Sequence, residues 1–127
     1  MNAPIKFNIL KHAGEPTPFS KGSVIFKKGD AGESMYLVSS GKVDIVADGN
    51  VVETLTDGDI FGEMALIDHQ VRSADAVANT DCGVICIDER RFLFMTENTP
   101  QFALQMMRLV AARLRDRMAD LEQMQSS

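Results

Sequence analysis

The stretch Val43-Asp44-Ile45-Val46-Ala47-Asp48-Gly49-Asn50-Val51-Val52-Glu53-Thr54-Leu55 sets two β-branched runs on either side of an Asp-Gly-Asn turn. Branched side chains suit a pleated, half-buried surface, and Asp-Gly tolerates the positive φ of a tight reversal, so the stretch reads as an antiparallel hairpin. The same alternation of short apolar runs and turn residues continues outward in both directions. Strands are predicted at 24–26, 35–38, 43–47, 51–55, 72–78 and 83–87. Lys28-Gly29-Asp30, Ser40-Gly41 and Asp57-Gly58-Asp59 punctuate them. Many short antiparallel strands on one small core predict a jelly-roll barrel over 17–88.

The flanks read differently. Residues 1–16 form a lead-in, whose Ile5, Phe7, Ile9 and Leu10 could anchor a short helix or turn before Gly14, Pro16 and Pro18 end it. After the strands, Asp88 is placed to cap a helix over 89–98. Thr99-Pro100 then gives an N-cap and a first-turn proline, and no Gly or Pro follows through Gln125. A second helix over 99–125 would run ~39 Å. Met107, Val110, Leu114, Leu121 and Met124 fall on its a/d seam, with Arg117 as the polar interruption. The first half suits an amphipathic helix on its own barrel, the second half a contact with another subunit. The predicted class is therefore mainly β with flanking α, in one domain over 1–127.

Composition narrows the function. Eighteen acids against thirteen Lys and Arg give a net charge of -5, which argues against direct nucleic-acid binding. The excess lies in residues 1–87, with seven basic and twelve acidic side chains. No apolar run reaches the ~20 residues of a bilayer span and no signal-peptide core opens the chain, so a cytoplasmic protein without membrane contact is expected. Cys82 and Cys86, on one strand, would stand ~13 Å apart, too far for a disulfide; two half-buried thiols are expected. His12 and His69 have no cysteine near them, and no metal site is expected.

The chemistry lies in Phe61-Gly62-Glu63-Met64-Ala65-Leu66 and Val71-Arg72-Ser73-Ala74. An arginine among apolar neighbours needs an anion, since an unpaired buried charge is costly. Glycine at 62 permits close backbone approach and a nest of N–H groups. Arginine, backbone amides and a serine hydroxyl make phosphate chemistry. A carboxylate beside them would repel phosphate but could accept hydrogen bonds from sugar hydroxyls. From the residues alone, a nucleotide site and an internal Glu63–Arg72 ion pair both remain open. Asp75, by strand alternation, should face away from Arg72 into solvent.

That segment resembles the phosphate-binding cassette of cyclic nucleotide-binding domains, as in the catabolite activator and protein kinase A regulatory subunit type. Gly29-Asp30-x-Gly32-x3-Tyr36-x-Val38-x2-Gly41 resembles the turn and strand at the front of that barrel. The likeness runs from about Pro18 to Leu121, and the helices after Asp88 would be the family's B and C helices. It implies a receptor for cAMP, or cGMP, without cofactor or metal and without catalysis. Glu63 would accept the ribose 2′-OH, Arg72 would pair with a phosphate oxygen, and Ser73 would donate to the same phosphate. Phe61, Gly62, Met64, Ala65 and Ala74 would complete the cassette with backbone contacts. The base would meet the C helix, where Arg117, with Arg113 one turn away, stands in place of the family's hydroxyl. The partner implied is a second copy or another protein, engaged through the C-terminal helix.

Other readings stay beside it. An enzyme on a cupin-like barrel needs clustered histidines that this chain lacks. A nucleotide-independent interaction module would keep the Glu63–Arg72 pair for structure. The ligand-binding part of a transcription regulator would carry DNA-binding helices after residue 127, whereas Met1 and the plain lead-in favour a short natural chain.

Overall fold

The computed structural model describes Lys6, Phe7 and residues 14–126, without the side chains of Gln125 and Ser126. Ile5, Ile9, Leu10 and His12 lie outside the described residues, while Phe7 is fully buried. Two compact units are present, one of residues 6–91 and one containing residues 92–127.

The first unit is β1 (Thr17–Phe19), β2 (Val24–Phe26), β3 (Ser34–Ser40), β4 (Val43–Ala47), β5 (Asn50–Leu55), β6 (Ile60–Phe61), α1 (Glu63–Asp68), β7 (Asp75–Ala78) and β8 (Cys82–Asp88). They form two four-stranded antiparallel sheets, ordered β1-β8-β3-β6 and β2-β7-β4-β5. The jelly-roll class holds, although hydrogen bonds do not close the sheets into a barrel among the described residues. The β4–β5 hairpin pairs Val43 with Leu55 and Ala47 with Asn50, and its turn takes positive φ at Asp48 and Gly49. Val38, Val43, Leu55, Phe61, Ala76, Ala78, Cys82 and Val84 make the core between the sheets.

Three differences from the sequence reading bear on the site. The strand predicted over 72–78 begins only at Asp75, so Arg72 and Ser73 lie in the preceding loop. The cause is pairing: Arg72 N donates to Asp30 O (2.9 Å) and Gly29 N donates to Arg72 O (2.8 Å), which ties that loop to the turn after β2 rather than to a strand. Asp75 is half-buried and accepts from Lys28 N (2.7 Å), so it is not a solvated side chain. The thiols are unequal, Cys82 buried and Cys86 exposed. The short β1, β6 and α1 were not predicted; each is too brief to show a period.

At the N-terminal side, Phe7 N donates to Gly58 O (2.8 Å) and Lys6 pairs with Asp59 at 3.0 Å. Asp59 also accepts from Thr56 N (2.9 Å), so the lead-in and the turn before β6 brace one another.

The second unit contains α2 (Glu89–Asn98, with its first residues in the first unit) and α3 (Pro100–Ser126). Asp88 caps α2 as expected, accepting from Arg91 N at 2.8 Å. Phe92 meets Phe102 edge-on, with centroids 5.3 Å apart. Phe102, Met106 and Leu109 are buried at helical spacing, whereas Met107, Leu114, Met118, Leu121 and Met124 are exposed. Among the described residues no helix is long and apolar enough to cross a membrane.

The turn between β3 and β4 makes a test. Gly41 has φ 76°, and a Cβ there would collide with Asp81 O and stand 2.8 Å from Cys82 Cα. Left-handed strain plus overpacking should make Gly41→Ala cost about 2–4 kcal/mol, read as a lower urea midpoint with unchanged slope.

Candidate functional site

Among the described residues, the buried charged side chains are Glu63 and Arg72, exposed by 3% and 5%. Burying one charge is expensive, so the structure around them must compensate. Glu63 is the first residue of α1. Gly62 before it has φ 75° and ψ 13°, a left-handed turn that ends β6 and starts the helix. That turn aims the Gly62 carbonyl at Arg72, whose Nη1 donates to it at 2.9 Å. Arg72 Nη2 donates to Ser34 O at 2.8 Å.

Packing completes the cradle. A Cβ at Gly32 would stand 2.5 Å from Arg72 Cζ and 2.6 Å from Nη2, and one at Gly62 would stand 2.7 Å from Nη1. Both glycines therefore clear space for the guanidinium. Gly29 and Asp30 hold the Arg72 backbone, and Asp30 Oδ2 steadies its own turn by accepting from Lys27 N at 3.0 Å. The Gly29-Asp30-x-Gly32 pattern thus has a physical meaning: it is the seat of Arg72. Two aromatic rings that the sequence pattern does not connect to this arginine, Phe26 and Tyr36, also lie against it. The Phe26 ring centroid lies 4.3 Å and the Tyr36 centroid 5.5 Å from Arg72 Cζ. No local pattern joins residues 26, 36 and 72; only the packing of the two sheets does.

The remaining residues of the segment divide by exposure. Phe61 and Ala65 are buried, Gly62 and Ala74 half-buried, Met64 and Ser73 exposed. The structure therefore gathers Gly62, Glu63 and Arg72, with Ser73 adjacent in the chain and open to solvent. Arg113, half-buried, and Arg117, exposed, belong to α3 of the other unit. Among the described residues no cluster of three His, Cys, Asp or Glu could hold a metal.

Burial pushes the Tyr36 phenol above its ordinary value of 10.0, the Cys86 thiol adds to the rise, and Arg72 opposes both by its charge and a side-chain hydrogen bond. A raised folded-state value means that this group's stabilisation is fully present below the ordinary value and is lost as pH climbs through the folded one. Tyr36 is the single tyrosine of a chain without tryptophan, so tyrosinate absorbance reports it alone. The native midpoint should lie above that of the urea-unfolded chain, and Arg72→Leu should raise it further. A native midpoint at or below the unfolded one would contradict the burial argument.

A family profile described as "Cyclic nucleotide-binding domain" matches residues 16–99. The chain is 37% identical over 109 residues to the cyclic AMP receptor protein of Thermus thermophilus, covering 82% of this chain and 50% of that one. It is 30% identical over 115 residues to a CRP-like cAMP-activated global transcriptional regulator of Mycobacterium tuberculosis, covering 84% of this chain and 51% of that one. Over 76 residues it is 41% identical to a cAMP-dependent protein kinase regulatory subunit of Debaryomyces hansenii, covering 58% and 17%. The crystal structure of the Thermus thermophilus catabolite activator protein superimposes with a TM-score of 0.78 at 34% identity, over 94% of this chain and 58% of that one. The chain thus spans about half the length of its bacterial relatives.

Proposed function

This chain belongs to the cyclic nucleotide-binding domain family, and we propose that it is a receptor for a 3′,5′-cyclic purine mononucleotide, cAMP ahead of cGMP. The observation that carries the reading is the pair of buried charges, Glu63 and Arg72, on the segment that resembles the family cassette. Arg72 supplies the countercharge for the cyclic phosphate, with Ser73 donating its hydroxyl from the open side. Backbone N–H groups around Gly62, Met64 and Ala65 add fixed dipoles, while Phe61 and Ala74 frame them. Glu63 accepts from the ribose. Named relatives are cAMP-responsive regulators, which supports cAMP. A solved neighbour at 34% identity is described as cGMP bound, which keeps cGMP as the second ligand to test.

The relatives are named as receptors, regulators and regulatory subunits, which supports a domain that acts by binding. Coupling runs through α3. Ligand would shift the arrangement of α2 and α3, and the exposed apolar positions Met107, Leu114 and Leu121 would contact a second copy or a protein partner. Arg117 on that seam weakens the contact and suits a reversible switch. Arg113 and Arg117 are the side chains to test for base contact. The whole of 1–127 acts as one cytoplasmic receptor domain that does not itself touch nucleic acid. A second reading, the ligand-binding part of a transcription regulator, is favoured by the half-length match to such a regulator.

Calorimetry with cAMP, cGMP and AMP tests the ligand. Arg72→Leu should cost about 3–5 kcal/mol, two to four decades of affinity. Glu63→Gln should cost about 1.5–3 kcal/mol. No heat with either cyclic nucleotide, or near-wild-type binding by folded Arg72→Leu, would sink the assignment. Sedimentation of the full chain and of a chain ending at Arg113, with and without cAMP, tests the coupling. Association that answers to neither ligand nor truncation would leave α3 without that role.

A further inference from the structure

Phe26 and Tyr36 come from different sheets, β2 and β3, and meet over the guanidinium. With Phe61 they form an aromatic cluster: Phe26–Tyr36 and Phe26–Phe61 centroids are 5.9 Å apart, and Tyr36–Phe61 5.3 Å. Plain core packing explains Phe61, which is buried among aliphatic side chains. It does not explain why an arginine cation should be brought 4.3 Å from the Phe26 centroid. A guanidinium is planar and weakly hydrated, and an aromatic face attracts it electrostatically. The two carbonyls it meets, Gly62 O and Ser34 O, are neutral and use one N–H on each terminal nitrogen. Three of its five donors lie outside those two bonds; the Tyr36 side chain takes one hydrogen bond, and the donors left over have to be aimed.

We propose that Phe26 and Tyr36 are positioning residues for Arg72, holding the guanidinium so that donors not engaged by Gly62, Ser34 and Tyr36 are presented to an anion. The rings partly balance the buried charge before any ligand arrives. They also hold a long side chain in one pose, so its ordering cost is met before binding. Gly32 and Gly62 leave the space, the carbonyls fix the two terminal nitrogens, and the rings lie against the guanidinium carbon. This inference rests on the reading that Arg72 receives the phosphate, and deepens it.

The test uses the full chain with two readouts. The first is the Arg72 Nε–Hε NMR signal of the ligand-free protein, assigned by its loss in Arg72→Lys. The second is calorimetric affinity for cAMP. The variants are Phe26→Leu, Tyr36→Leu, Phe26→Tyr and Tyr36→Phe, each also combined with Arg72→Lys. The wild-type signal should be ring-current shifted. Each Leu variant should lose much of that shift and bind cAMP about fivefold to thirtyfold more weakly. The ring-keeping variants should retain the shift and stay within about threefold in affinity. In the Arg72→Lys background, where the cation is a point charge that needs no flat stack, the Leu changes should move affinity by about twofold or less. Equal losses with and without Arg72→Lys, or an unshifted wild-type signal, would overturn the proposal. Should a Leu variant not fold, the ring-keeping pair decides: loss of the shift in a folded ring-keeping variant overturns it. If the wild type binds no cyclic nucleotide while the Arg72 signal still answers to both rings, the ligand reading fails and the positioning stands.

Discussion

The burial of one guanidinium organises the front of this domain. Arg72 leaves water almost completely, and that cost must be met by groups the fold brings to it. Two carbonyls accept from its terminal nitrogens, two aromatic rings lie against it, and two glycines give it room. These groups come from β2, the turn after it, β3 and the end of β6. A cation fixed by parts of both sheets requires the sheets to be in register before it can be accommodated. The site and the sandwich are therefore one construction, and damage to either should be felt in the other.

Much of this was legible in the chain. The Asp48-Gly49-Asn50 reversal, the strand texts and the Asp88 cap appear where local chemistry placed them, because each depends on neighbours within a few residues. Arg72 was singled out for the same reason, being a charge among apolar neighbours. Its conformation was not legible. Sequence alternation carried the strand back to residue 72, but the backbone there is claimed by Gly29 and Asp30, more than forty residues upstream. Asp75 followed the same logic: its partner is Lys28 N, across the sheet, and no local rule predicts it. The aromatic corner was hidden for a related reason, since Phe26 and Tyr36 read as ordinary strand residues until the sheets face each other.

The helical unit shows where sequence periodicity stops being informative. A heptad reading names Met107, Val110, Leu114, Leu121 and Met124 as a seam; Val110 is half-buried and the other four are exposed. The buried positions are Phe102, Met106 and Leu109, on another stripe of the first half of the same helix. Two apolar stripes on one helix mean that it is amphipathic towards two directions, one of which is already used. The heptad reading names the exposed stripe and passes over the buried one, because an apolar period alone does not tell which face is covered.

On the proposed reading, charge bears on which anions the site takes. Residues 1–87 carry five more acids than bases, a net charge that disfavours polyanions at long range. The arginine offers a single positive charge, and Glu63 is buried on the same segment. On the proposed reading, a cyclic phosphodiester brings one negative charge and the cation matches it. A phosphate monoester such as AMP brings about -1.5 to -2 at neutral pH. The excess would be buried without a partner, close to a carboxylate, and such a charge costs several kcal/mol per ion, of the order of 3–5 kcal/mol when a pair is left incomplete. Nucleic acid, which is held by many cations acting together, would find one at this site. On the proposed reading, the net acidity of the chain disfavours polyanions at long range, and the single buried arginine suits an anion carrying one negative charge.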